Sequence, residues 1–341
     1  MVPFSPDPSR VFNLLSHCPL HISTPLVERE GVLIKDESQR MGLGAFKALG
    51  GVYAVARIIE ERWREATGVG LTPSDFERED VRRFASSLTF VCASAGNHGM
   101  AVASGARLFG ARARIFLADT VPDAFAARLE AKDAVVVRAG ADYEASVDAA
   151  ISDAAENDFI HLADGSWEGY RHAPTLVMEG YTVMAEELRN KFEADGRWPT
   201  HVYLQAGVGG FAGAIAHMIR QNWAVQPDII IVEPEAAPCL KGSAAEGAVT
   251  TVAGPVSDMG RLDCKTPSLI AFEVFQDASV RYLTVSEHDA RNAVAALSKL
   301  GIETTPSGAA GFAGLSLDRH TPDPADGVQS LVFVTEGAVS A

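Results

Sequence analysis

The sequence predicts an α/β protein built from two mostly parallel sheets flanked by helices, and three observations carry that prediction. Strand-like and helix-like segments alternate over residues 88–155 and again over 201–233, the order in which crossover connections build parallel sheets. Two glycine-rich turns, at 94–99 and 207–213, each follow a strand pattern and precede a helix pattern, which is where such sheets bind ligands. The chain of 341 residues, 47% apolar, exceeds one ordinary core and can fill two.

Residues 9–16 predict a short helix, followed by extended segments at 24–26 and 31–35. After a polar turn at 36–44, Phe46, Leu49, Tyr53, Ala56 and Ile59 recur at three- and four-residue steps, so a buried helix begins here with Lys47 in its first turn. The stretch 66–87 is polar, with Ser74-x-x-Glu77 as a capping box for a small helix. Strands at 88–93, 114–117 and 134–138 then alternate with helices at 98–108, 124–131 and 143–155. A second series has strands at 201–206 and 228–233 around a helix at 212–221, and is completed by a strand at 330–334. Residues 250–268, punctuated by Gly and Pro, predict a long loop near the site. The expected division is a large domain of residues 1–59 and 196–341 and a small mobile domain of residues 60–195.

Twenty-nine basic against 44 acidic side chains leave a formal charge of −15. With no run of four Lys or Arg, neither nucleic acid nor an anionic membrane is expected as a partner. An acidic chain that binds a phosphorylated anion must supply local positive potential, which converging backbone N–H groups do. Cys18, Cys92, Cys239 and Cys264 show no C-x-x-C spacing, so no metal site is expected. The opening MVPFSPDPSR lacks the order of a signal peptide, and no apolar run approaches the roughly 20 residues that span a bilayer. A reduced, cytoplasmic protein is the expectation.

Four segments carry chemistry. Lys47, between Phe46 and Ala48, is expected to point its amine into an apolar interior, where burial disfavours the ammonium and leaves the nucleophile an aldehyde cofactor needs; a lysine whose head snorkels outward is the competing account. Ser94, Ala95, Gly96, Asn97 and His98 form a strand-to-helix turn whose N–H groups suit a substrate carboxylate, or simply a turn capped by Ser94 or Asn97. His98 reads as packed or capping rather than catalytic. Gly207, Val208, Gly209 and Gly210 suit a phosphate at a helix N-terminus, but Gly207, Gly209 and Ala212 also satisfy G-x-G-x-x-A, with Glu233 placed as a ribose-binding acid. An NAD-dependent oxidoreductase therefore stays open on these residues. Thr335, after the final strand pattern, is a hydroxyl for a heteroaromatic nitrogen or a turn residue.

Taken in chain order, Phe46-Lys47, the S-x-G-N-H-G loop, the G-x-G-G loop and Thr335 resemble the fold-type-II, tryptophan synthase β-like, pyridoxal-phosphate (PLP) enzymes. Within that group Lys35-Asp-Glu-Ser, Gly42-Leu-Gly-Ala-Phe-Lys-Ala-Leu-Gly-Gly51 and Asp164-Gly-Ser-Trp-Glu-Gly-Tyr170 are most similar to the diaminopropionate ammonia-lyases. The resemblance implies a two-domain enzyme, a homodimer, with PLP held as a Schiff base by Lys47. It further implies that Asp164 is a catalytic acid or base, that Asn97, Gly207, Val208, Gly209, Gly210 and Thr335 contact the cofactor, and that residues 94–98 bind a small amino-acid substrate. A neutral hydroxyl facing the ring nitrogen favours β-elimination over transamination. The expected reaction is a carbon-nitrogen lyase reaction giving pyruvate and ammonia from a substrate such as 2,3-diaminopropionate. A threonine, serine or 3-hydroxyaspartate dehydratase on the same fold is the alternative. The resembling lyases carry aspartate where this chain has Ala95, which implies activity on one enantiomer, L, or on a different substrate altogether. Arg261, Asp263 and Lys265 also depart from that pattern, as substrate readers or as a solvated loop.

Overall fold

The computed structural model describes residues 4–18, 20–94, 96–318 and 328–338; Ala95 lies outside them. The strands are β1 (Leu26–Arg29), β2 (Val32–Asp36), β3 (Thr89–Ala93), β4 (Arg112–Leu117), β5 (Val135–Arg138), β6 (Ile160–His161), β7 (His201–Gln205), β8 (Asp228–Pro234), β9 (Val280–Val285) and β10 (Ser330–Val334). The helices are α1 (Ser9–Leu15), α2 (Lys47–Thr67), α3 (Glu79–Ala85), α4 (Asn97–Phe109), α5 (Asp123–Glu130), α6 (Tyr143–Glu156), α7 (His172–Asp195), α8 (Gly210–Asn222), α9 (Cys239–Glu246), α10 (Leu269–Ala278), α11 (Glu287–Lys299) and α12 (Pro306–Leu317). Among the described residues no helix is long and apolar enough to cross a membrane.

The expected two sheets form. One runs β1-β2-β10-β7-β8-β9 and the other β5-β4-β3-β6. All neighbours are parallel except β1, which pairs antiparallel with β2 at an edge through the two-residue turn Glu30-Gly31, both at positive φ. Strands β7 and β10 are buried at every position, because helices cover both faces; such strands read as continuous apolar runs. β10 lies between β2 and β7, and this crossover brings the turn before Lys47 to the C-terminal end of the strand that precedes Thr335.

Three helices pack between the sheets through glycines. A Cβ at Gly180 in α7 would stand 2.6 Å from Gly50 Cα, and one at Gly51 in α2 would stand 2.5 Å from Ala101 Cβ in α4. The helix carrying Lys47 is thereby pressed against both its neighbours at backbone distance.

Several local expectations need correcting. The capping box belongs to Thr72 and Asp75, not Ser74 and Glu77; Pro73 has the fixed φ of a first helical residue, which makes the residue before it the cap. Helices α7, α9, α10, α11 and α12 and strands β6 and β9 have no counterpart in the sequence-based expectation. Helix α7 is buried on most of its surface and so lacks a one-sided apolar stripe. Helix α11 does announce itself, through a capping box of Ser286 and Asp289, a pair hidden because aspartate stands where glutamate is usual.

Candidate active site

Lys47 is the first residue of α2. The turn before it is stitched to the end of β10: Phe46 N–H donates to Thr335 O (3.1 Å), Gly337 N–H to Gly44 O (3.0 Å) and Glu37 N–H to Val334 O (2.8 Å). The amine does not enter an apolar interior as expected. Its Nζ pairs with Asp164 Oδ2, and the two side chains keep 23% and 21% exposure at the cleft. A first-turn side chain points back toward the helix N-terminus, where the loop after β6 lies.

That loop is rigid. Tyr170 Oη donates to His161 O (2.9 Å) and accepts from Ala163 N–H (3.0 Å), with its ring stacked on Trp167 at 4.3 Å. Ser166 Oγ bonds Ser268 Oγ (2.7 Å) and accepts from Ile270 N–H (2.9 Å) at the start of α10. Burial acts to raise the Asp164 carboxyl, but the Lys47 ammonium and then His98 outweigh it and hold the group well below the usual carboxylate range. Asp164 is therefore an anion facing a lysine.

The turn between β3 and α4 lies alongside. Gly96 N–H donates to Ser94 Oγ (3.2 Å), and Asn97 Nδ2 donates to Glu336 Oε2. His98 is 3% exposed with Nε2 2.7 Å from Leu162 O, and burial lowers its pKa. Its ring is packed, so it can serve a ligand only through its backbone N–H.

On the other side, Gly209 caps α8 in the left-handed region at φ 94°. A Cβ at Gly207 would stand 3.0 Å from Cys264 Sγ, and one at Gly209 2.9 Å from Ala271 Cβ. Gly209 is held to glycine by its φ and its crowding, and a side chain at Gly207 would require Cys264 to move. The Val208 carbonyl accepts from Ser268 N–H (2.9 Å), and desolvation pushes the thiol of the half-buried Cys264 up to about 11. The first-turn N–H groups of α8, which no helical carbonyl satisfies, form an anion cradle. Thr335 is buried, its Oγ1 accepting from Gln205 Nε2 (3.2 Å).

The dinucleotide alternative fails at Glu233. That carboxylate is fully buried and accepts from Leu240 N–H (2.7 Å) and Lys241 N–H (2.9 Å) at the start of α9, while burial pushes it up to about 7. It caps a helix and is not available to a ribose. Asp263 and Lys265 are also structural: they pair at 2.6 Å, and Lys265 Nζ donates to the carbonyls of Ala236 and Pro255 (2.8 Å each).

Sequence reasoning did not single out Glu336, Ser166, Ser268, Gln205 or Cys264. Glu336 lies beside Thr335 in a segment already marked, but its contacts with Asn97, Thr305 and Arg261 join parts of the chain that only folding brings together.

A lysine amine, an anion cradle two glycines deep and a buried hydroxyl thus surround one cleft, and comparison with known proteins decides the family. Residues 16–336 match the model of the pyridoxal-phosphate dependent enzymes. The chain belongs to that family. Within it, the chain is 30% identical to the diaminopropionate ammonia-lyase of Salmonella typhimurium over 94% of this chain and 85% of that one. It is 30% identical to the Escherichia coli K12 enzyme over 75% of this chain, and spans 64% of the length of that relative. The crystal structure of the Escherichia coli enzyme in complex with an aminoacrylate-PLP azomethine reaction intermediate superposes with a TM-score of 0.83 at 26% identity, covering 97% of this chain and 88% of that one. The cofactor of the family fits what is here: the loop 207–210 ends on the first turn of α8, whose N–H groups lack helical acceptors, and a Cβ at Gly210 would lie 3.7 Å from the carbonyl oxygen of Asp164, the partner of Lys47.

Proposed function

We propose that the chain is a PLP-dependent carbon-nitrogen lyase that performs β-elimination on a small amino acid such as 2,3-diaminopropionate, releasing pyruvate and ammonia. The observation that carries this is the pairing of Lys47 with an ionised Asp164 between a cradle for phosphate and a turn for carboxylate.

When bound, the cofactor supplies the electron-withdrawing ring that acidifies Cα. Lys47 anchors it, and Gly207, Val208, Gly209 and Gly210 hold its phosphate, with Asn97 and Thr335 as ring partners. Ser94, Gly96, Asn97 and the backbone of His98 bind the α-carboxylate, together with Ala95. Asp164 Oδ2 accepts the Cα proton or passes one to the departing β-amine, which leaves as ammonia only when protonated. Thr335 is a neutral partner and does not sustain a long-lived carbanion, so loss of the β-substituent is the favoured exit. The methyl of Ala95 cannot take a proton where the resembling lyases carry aspartate, which supports turnover of the L enantiomer only. Residues 60–195 act as a small mobile domain over the cleft, and the working form is a cytoplasmic homodimer.

Purified holoenzyme should be yellow, with a visible band that borohydride abolishes and that Lys47→Ala lacks. A colourless protein that binds NADH would overturn the proposal. Pyruvate release should be rapid from L- and slow from D-diaminopropionate, and Ala95→Asp should gain the D enantiomer; fast wild-type turnover of D would contradict the role given to Ala95.

A further inference from the structure

Gln205, the last residue of β7, is 2% exposed. Its Nε2 lies 3.0 Å from Gly308 O on α12, 3.0 Å from Phe333 O on β10 and 3.2 Å from Thr335 Oγ1. A carbonyl oxygen only accepts, so the two carbonyls decide which end of the amide is the nitrogen. Turning the amide over would set its oxygen against both of them. Helix α12 accommodates this orientation: a Cβ at Gly311 would stand 2.7 Å from Gln205 Oε1, so the glycine leaves the room that the oxygen occupies. The amide keeps its direction even though Oε1 has no hydrogen-bond partner among the described residues.

A fixed amide nitrogen fixes the polarity of the hydroxyl beside it. That nitrogen has no lone pair to offer, so Thr335 Oγ1 meets Gln205 with a lone pair of its own. Two amide hydrogens serve three acceptors here, as a three-centre contact; however they are shared, the hydroxyl hydrogen is turned away from the amide. The neighbouring carboxylate, Glu336, is engaged elsewhere, accepting from Asn97 Nδ2 and Thr305 Oγ1. The Thr335 backbone is held as well, its carbonyl accepting from Phe46 N–H (3.1 Å) in the turn before Lys47.

We propose that Gln205 is a positioning residue that holds the Thr335 hydroxyl as a donor and thereby selects bound cofactor with an unprotonated ring nitrogen; this rests on Thr335 being the ring partner, as proposed above. A lone pair on the ring nitrogen receives the hydroxyl hydrogen and satisfies both groups. A protonated ring nitrogen has to donate to Oγ1, which leaves the hydroxyl hydrogen buried with both of its neighbours also donors. The unprotonated ring is the weaker electron sink, so the amide, acting through the hydroxyl, favours early loss of the β-substituent.

The test reads the ring nitrogen directly. Holoenzyme is reconstituted with PLP carrying an NMR-visible isotope at that atom, and its chemical shift at neutral pH distinguishes free pyridine, hydrogen-bonded pyridine and pyridinium. We expect hydrogen-bonded pyridine in the wild type. Gln205→Glu keeps the shape but puts an oxygen with lone pairs in the place of Nε2. The hydroxyl then turns to residue 205 and offers the ring a lone pair, so the signal should move to the pyridinium position. Elimination should slow by about tenfold, the scale of one hydrogen bond. Gln205→Met, which has no polar atom to hold the hydroxyl, should move the signal toward free pyridine, as should Thr335→Val. Denaturant midpoints of the apoproteins show which variants fold, and Gly311→Ala, which presses on Oε1 from α12, supplies a further displacement of the amide that should shift the signal in the direction of Gln205→Met. A pyridinium signal in the wild type would overturn the proposal. So would folded Gln205 variants, or Gly311→Ala, that keep the wild-type signal while Thr335→Val moves it, since Gln205 would then be structural only. If Thr335→Val keeps the wild-type signal, Thr335 is not the ring partner and both readings fall. Absence of pyruvate release, with the nitrogen signals as expected, would instead refute the lyase reaction and uphold the role of Gln205.

Discussion

Lys47 and Asp164 show how a residue acquires its role from its surroundings. Lys47 is flanked by apolar neighbours in sequence, yet its amine faces a carboxylate because the first turn of α2 opens toward the loop after β6. Asp164 in turn owes its anionic state to that lysine and to His98 working against its own burial. Replacing Asp164 with Asn keeps the shape and the neighbouring bonds of Ser166 and Tyr170 but removes the proton acceptor. The expected result is a kcat lower by about 100-fold or more with the visible cofactor band retained, checked by steady-state assay beside an absorption spectrum. The lysine, both glycine turns and Asp164 were all legible as motifs. Glu336 and Gln205 were not, since a carboxylate or amide becomes a site residue only through the partners that folding delivers.

Helices α2, α4 and α7 meet where their glycines allow contact at backbone distance. At Gly180 a methyl would press on Gly50 Cα at 2.6 Å and on Leu49 O at 2.8 Å, and backbone atoms have no rotamer with which to yield. Gly180→Ala is expected to cost about 1–3 kcal/mol, read as a lower denaturant midpoint. Leu49 is two residues from Lys47, so the same substitution should also lower activity in the fraction that stays folded. The periodic helix at Lys47 was visible as a pattern, although its full length to Thr67 was not. Helix α7 escaped notice because burial on most sides erases the amphipathic signal, leaving length and glycine spacing as weak clues.

Across the molecule, a buried ionic network ties the segment before β1 to β2, the lysine turn and α7. Glu187 accepts from Lys35 Nζ (2.6 Å) and from both terminal nitrogens of Arg40 (2.8 Å each). Arg40 Nε donates to Glu37 (2.7 Å), and Thr24 Oγ1 to the same carboxylate (2.6 Å). Removing Glu187 leaves two buried cations, Lys35 and Arg40, to share the single carboxylate of Glu37, so Glu187→Ala should cost about 3–5 kcal/mol, measured by chemical denaturation at neutral pH. Burial acts to raise Glu187, but Arg40 and Lys35 outweigh it and the net shift is downward from 4.5. A folded carboxylate with a depressed pKa binds protons less readily than the unfolded one, so its stabilisation is complete above the ordinary glutamate range and is lost as pH falls through the native value. The acid limb of the stability profile should therefore be shallower in Glu187→Ala than in wild type.

The sequence by itself determined the fold class and the two sheets, because strand–helix alternation is local and has one dominant physical cause; the cofactor family and the candidate anchor Lys47 followed from the resemblance that four motifs carry in chain order, since each motif alone left a second account open. Only the tertiary structure decided that Lys47 faces Asp164, that Glu233 caps a helix instead of awaiting a ribose, and that of Arg261, Asp263 and Lys265 only the arginine reaches the substrate turn, at Gly96. Those outcomes depend on which distant groups share a low-dielectric cleft, and the insertion of β10 between β2 and β7 sets that proximity at a range no local pattern reports.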